Sequence, residues 1–141
     1  MKKATKQQIL TIVLLLIFIG SSFTYAITIL FEPQNVEWSA SLYIVIFNEP
    51  VEIPSEIGVT GESKAKLYTL QADNKIYKNT QEDVKLGEFF EIWGKTFNRT
   101  CILDYCNVGN NSMKMYVNNQ ENSDYELYTI KNNDVIKIDY R

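Results

Sequence analysis

Along the 141 residues, apolar and polar positions follow three successive patterns. From Ile9 to Phe31 no charged side chain interrupts a run rich in Ile, Leu and Val. A stretch of about 20 apolar residues spans a hydrocarbon core of roughly 30 Å, so residues 9–31 are expected to form one transmembrane signal anchor. Lys2, Lys3 and Lys6 precede the run and Glu32 follows it. Cytoplasmic flanks collect lysine and arginine, which leaves residues 1–8 in the cytoplasm and everything after the anchor extracytoplasmic. The expected location is therefore the cell membrane, crossed once. A cleaved signal peptide ending near Thr24 and Ala26 is the competing reading, and it exports the same domain. The apolar residues Ile27, Ile29, Leu30 and Phe31 beyond that point favour a retained anchor. Residues 32–40, with Pro33, Gln34 and Asn35, read as a linker, and Trp38 belongs either at the headgroup level or in a core.

The second pattern begins near residue 41 and ends at Arg141, giving an extracytoplasmic domain over 41–141. Leu42 to Phe47 is β-branched and aromatic, Asn48-Glu49-Pro50 breaks it, and Val51, Ile53 and Ile57 resume, as in a hairpin. A loop marked by Gly58 and Gly61 precedes two short runs, Lys66 to Leu70 and Lys75 to Lys78, joined by a turn at Asp73-Asn74. Met113 to Val117 and Val135 to Tyr140 alternate with period two, bounded by Asn118-Asn119 and Asn132-Asn133-Asp134. Between these strand groups the spacing changes once. Leu86, Phe89, Phe90 and Trp93 fall at i, i+3, i+4 and i+7, the period of one helical face, with Thr80-Gln81-Glu82-Asp83 as candidate caps and Gly94 as a positive-φ stop. These four side chains are expected to pack on a sheet as core. The fold expected is α+β, a β-grasp-like mixed sheet with one short helix; the alternative is a β-sandwich in which 86–93 is extended.

Composition narrows the functions. Hydrophobic residues make up 45% of the chain and aromatic residues 13%, enough to build a core. Past the anchor there remain 11 basic and all 17 acidic side chains, so the domain is acidic and unsuited to phosphate backbones or anionic headgroups. No nucleic-acid partner is expected. The chain has no histidine. Serine, cysteine and metallohydrolase chemistry commonly uses an imidazole as base or ligand, and no Gly-rich phosphate loop or CxxC motif takes its place. No enzyme activity and no cofactor are expected.

Leu67-Tyr68-Thr69-Leu70-Gln71-Ala72-Asp73-Asn74-Lys75-Ile76-Tyr77, then Leu86-Gly87-Glu88-Phe89-Phe90-Glu91-Ile92-Trp93-Gly94 and Cys101, resembles a family of membrane-anchored or exported proteins of archaea, notably ammonia oxidisers, and of some bacteria. The likeness covers most of the domain. In that family the first segment typically reads Leu-His-Thr-His-Asp, then Gly, then Ile-His. Here Tyr68, Leu70 and Tyr77 stand at the histidine positions and Asn74 at the glycine. The resemblance implies export and a kept hairpin, since Asn tolerates positive φ, without imidazole chemistry.

Four groups of side chains remain as candidate sites. Cys101 and Cys106 are the only cysteines, and on the oxidising side of a membrane a local disulfide is the leading reading. If they stay reduced, their thiolates with the thioethers of Met113 and Met115 make a soft set suited to Cu(I), although alternation on a core-facing strand explains the methionines as well. Asn98-Arg99-Thr100 and Asn110-Asn111-Ser112 are N-glycosylation sequons. Asp104, Tyr105, Glu88 and Glu91 form no acid/base pair by any motif. The sequence thus points to a non-enzymatic, single-pass interaction module, an accessory or structural subunit with protein partners or copies of itself. The rivals are a copper-handling or thiol-redox protein, and a small-ligand carrier with a cleft beside Phe89 and Trp93.

Overall fold

The structure, a computed structural model, describes residues 38–141 and, further upstream, residues 6, 7, 10–12 and 17. It divides into two units, Met1–Val36 and Glu37–Arg141. In the first unit the described residues are helical, and Leu10, Ile12 and Ile17 expose 61%, 54% and 62% of their surface. The expected anchor over 9–31 lies mostly outside the described residues, among which no helix is long and apolar enough to cross a membrane.

The second unit is a mixed α/β fold built on one mixed sheet. Its central strand is β1 (Ser39–Ile46), which begins inside the stretch expected to be linker. Trp38 packs against the core, with the Lys78 ammonium 5.2 Å above its ring. On one side β1 runs parallel to β11 (Val135–Tyr140), with Leu42 opposite Ile136 and Ile44 opposite Ile138. Its other side is shared. β6 (Lys75–Lys78) pairs with the first residues of β1, and β2 (Glu49–Val51) with the last, both antiparallel. The sheet continues outward through β5 (Leu67–Tyr68) beyond β6, and through β9 (Met113–Val117) and β10 (Gln120–Glu121) beyond β11. Two small hairpins stand apart: β3 (Val59–Thr60) with β4 (Ser63–Lys64), and β7 (Cys101–Ile102) with β8 (Tyr105–Cys106).

Asparagine supplies much of the turn geometry. Asn118 and Asn119 at φ 50° and 66°, like Phe47 and Asn48 at 49° and 70°, form two-residue loops of the kind whose twist matches a hairpin. Asn74 and Asn133 also hold positive φ, a region that asparagine enters more readily than most residues.

Period-two alternation sorts the side chains of the central strands. Ala40, Leu42, Ile44 and Ile46 of β1, Ile136, Ile138 and Tyr140 of β11, and Met113, Met115 and Val117 of β9 are buried in one core. The helix Leu86–Trp93 adds Leu86, Phe89 and Phe90 to that core, while Trp93 is half-buried against it. Helical structure here excludes the sandwich alternative, which required an extended segment.

The helix ends as its sequence implies and starts later than expected. Gly94 at φ 72° donates its N–H to the Glu91 carbonyl at 3.1 Å, and Lys95 donates to Phe90 at 2.9 Å. At the start, Thr80 accepts the Glu82 N–H in a local turn, so residues 80–83 do not cap the helix. Glu88 does that work from inside, accepting the Lys85 N–H at 2.8 Å. Gly87 is needed for close packing, because a Cβ there would lie 2.9 Å from the Glu126 carbonyl in the 3-10 turn Tyr125–Leu127.

The Lys66 ammonium hydrogen-bonds Glu88, and this bond, followed by the Lys85 N–H, holds the Glu88 carboxyl below its ordinary value of 4.5. A depressed folded-state value means stabilisation that is present above pH 4.5 and lost as pH falls through the folded-state value. Glu88→Gln is therefore expected to flatten part of the acid-side loss of stability, read as urea midpoints on either side of that pH. An unchanged acid slope would contradict it.

Candidate functional site

The helix covers one face of the sheet, and the other face carries the outward half of the alternation. Across the three central strands the register sets Tyr43, Lys137 and Tyr116 in one row and Val45, Asp139 and Lys114 in the next. Tyr43 and Val135 expose 43% and 45% of their surface, large for apolar groups on a central strand. Lys114 and Lys137 are exposed, and Val45 and Tyr116 half-buried. The face is thus amphipathic, with aromatic and β-branched groups between cations.

Its chemical centre is Asp139, only 4% exposed. One carboxylate oxygen, Oδ2, accepts from the Arg141 guanidinium and lies 3.6 Å from the Lys137 ammonium. The other, Oδ1, is buried and has no hydrogen-bond partner among the described residues. The carboxylate in turn holds the Arg141 guanidinium above its ordinary value, through the hydrogen bond first and charge second. Beside this pair opens a groove of about 330 Å³ lined by Ser112, Lys114, Tyr116, Asp139 and Arg141. Two cations around one carboxylate leave net positive charge on a domain that is acidic overall. Such an arrangement can hold a carboxylate or the polar edge of a partner. It offers no nucleophile activated by a base.

A second feature sits at the end of the sheet opposite the chain's entry into β1. Cys101 and Cys106 face each other across β7 and β8, Cα atoms 4.0 Å apart, with their sulfurs at bonding distance. The Asn107 N–H donates to the Thr100 carbonyl at 2.8 Å, which makes the cysteines a non-hydrogen-bonded pair, where opposed side chains come closest. Tyr140 docks this hairpin on the sheet by donating its hydroxyl to the Cys106 carbonyl at 2.7 Å. Phe47 meets Tyr140 and Tyr105 edge-on at 5.4 and 5.8 Å, closing an aromatic triad over the same end. Closing so short a loop contributes about 2 kcal/mol in the chain-entropy picture.

The remaining expected site residues scatter. Met113 and Met115 are 3% and 0% exposed and point into the core. Phe89 is fully buried, and the groove on the helix side, about 360 Å³, is lined by Gly87, Phe90, Phe97 and Glu126 rather than by Phe89 and Trp93. Asp104 and Glu91 are exposed. Asn98 lies at the head of the disulfide hairpin, and Asn110 in the turn between Val108 and Asn111. Tyr68 and Tyr77, at two of the three positions where the resembled family carries histidine, stand opposite one another on β5 and β6 with rings stacked at 5.6 Å. Leu70, at the third, is exposed.

Asp139 and Arg141 belong to no motif in the sequence. Asp139 occupies the polar phase of the β11 alternation and Arg141 continues it one residue past the strand, but nothing in the sequence distinguishes a buried carboxylate there from a solvated one. No family model, no curated protein and no solved structure matches this chain.

Proposed function

We propose that this chain is a non-enzymatic, single-pass membrane protein whose extracytoplasmic domain is an interaction module, an accessory or structural subunit that meets its partner through the open sheet face. The observation that carries the reading is the asymmetry of the sheet. One face is closed by the Leu86–Trp93 helix, and the other presents Tyr43 and Val135 to solvent beside the Asp139 ion-pair cluster. Exposed apolar groups ringed by charge are a common form of protein interface. The exposed apolar residues Leu10, Ile12 and Ile17 on helical backbone support the anchor.

The domain is read as β-grasp-like: a parallel central pair, β1 with β11, each flanked by an antiparallel strand of a hairpin, with the single α-helix between the hairpins in sequence. The same reading takes the chain as kin to the exported archaeal and bacterial family, with Tyr68, Leu70 and Tyr77 in place of its histidines. The copper or thiol-redox reading has less to stand on. Its two thiolates are spent in the Cys101–Cys106 bond, and its thioethers are core groups.

The test uses native membranes gently solubilised and run on native gels. The chain is expected to migrate in an assembly larger than itself, and Tyr43→Glu with Val135→Glu is expected to release it as a monomer. Both sites are exposed, so the melting of the purified double variant should stay within about 0.5 kcal/mol per site of the parent. A wild-type chain running alone would contradict the proposal.

A further inference from the structure

We propose that Asn98 is an N-glycosylation site, taking its glycan from a polyprenyl-phosphate-linked donor on the extracytoplasmic side, and that the second sequon, at Asn110, is not used. The inference rests on the exported reading above and concerns a different surface. A sequon is defined by an asparagine amide and a hydroxyl two residues on. Only at Asn98 does the fold bring the two together. The Asn98 Oδ1 accepts the Thr100 hydroxyl at 3.0 Å, the Thr100 N–H at 2.9 Å and the Cys101 N–H at 2.9 Å. All three bonds go to the oxygen. Among the described residues Nδ2 donates no hydrogen bond, and it is not one of the buried side-chain atoms left without a partner, so it keeps access to the surface.

The surroundings fix this presentation. On one flank Phe97 is buried, stacked on Phe90 at 4.5 Å and bridged to Ile102; on the other the disulfide holds Cys101. Between these anchors Arg99 and Thr100 are exposed. Transfer forms a C–N bond from Nδ2 to the anomeric carbon of the sugar, breaks the bond from that carbon to the carrier phosphate, and passes one amide proton to the transferase's base. Oδ1 remains an acceptor in the product, so the turn survives modification. Asn110 differs. Its turn is closed by reciprocal backbone bonds between Val108 and Asn111, and Ser112 is drawn into backbone pairing with Arg141 at 2.8 and 3.2 Å. The Ser112 hydroxyl makes no bond to the Asn110 amide among the described residues.

The experiment expresses the full chain with a C-terminal epitope in its native host. It reads intact mass from membranes, together with removal of the epitope by protease added outside intact cells. Expected is removal of the epitope and a mass excess of at least one monosaccharide in the parent, in Thr100→Ser and in Asn110→Asp. Asn98→Asp, which keeps the acceptor oxygen, and Thr100→Ala, which keeps both backbone bonds to it, should each lose the excess. An exported parent at bare polypeptide mass, or an excess that survives Asn98→Asp, overturns the proposal while leaving the topology intact. A protected epitope overturns both together.

Discussion

Phe89→Ala is expected to lower the unfolding free energy of the domain by about 3–5 kcal/mol, the range for emptying a fully buried aromatic site. The Phe89 ring is 0% exposed and meets Phe90 at 5.8 Å and Trp93 at 6.0 Å, on the helix face that closes the core. Small domains are stable by only about 5–15 kcal/mol, so a large part of the total would go. Trp93→Ala, at a half-buried position, is expected to cost less. Urea unfolding followed by far-ultraviolet circular dichroism compares the two. A loss at Phe89 of about 0.5 kcal/mol or less, typical of surface positions, would show that the helix does not close the core.

Asp134→Ala should rival it, through polar groups instead of volume. Asp134 is 4% exposed, and its carboxylate accepts the Tyr128 hydroxyl at 2.7 Å, the Lys131 N–H at 2.8 Å and the Asn118 amide at 3.0 Å. Asn118 in turn accepts the Val135 N–H, so one carboxylate ties the β9–β10 turn to the start of β11. Hydrogen bonds to charged groups contribute about 1.5–3 kcal/mol each, and removing the shared acceptor strands three donors; a loss of about 3 kcal/mol or more is expected. Tyr128→Phe removes one of them and should cost about 1.5–3 kcal/mol. Burial, then the bond to Asp134, holds the Tyr128 phenol protonated above its ordinary value of 10.0. With a raised folded-state value, that stabilisation is complete below pH 10.0 and is lost as pH climbs beyond it, so Tyr128→Phe should flatten the alkaline limb. Chemical denaturation on both sides of that pH reads both effects. Equal stability of Asp134→Ala and the parent would contradict the network.

Much of the fold was legible because backbone demands leave marks in residue type. The alternation of Met113–Val117 is that of its strand, and Val135–Tyr140 follows the same period except at Asp139, which is buried. Asn118-Asn119 and Gly94 sit where positive φ is required. The helix start was less legible: Thr80 to Asp83 look like caps, yet the carboxylate that caps, Glu88, lies within the helix and is held by Lys66 from the loop before β5. Long-range pairing leaves no local mark. The parallel match of β1 with β11 joins the first and last strands of the domain, and that match places Asp139 beside Val45. For the same reason the outer sheet face was invisible as a site, whereas the disulfide, local in sequence, was not.

The tether is tested most directly by a pair of reporters fused after Arg141, one fluorescent only in the cytoplasm and one active only outside it. Activity of the external reporter, with the full-length chain remaining in the membrane fraction after alkaline carbonate extraction, is the predicted result. Cytoplasmic fluorescence, or release of the chain by carbonate, would contradict it.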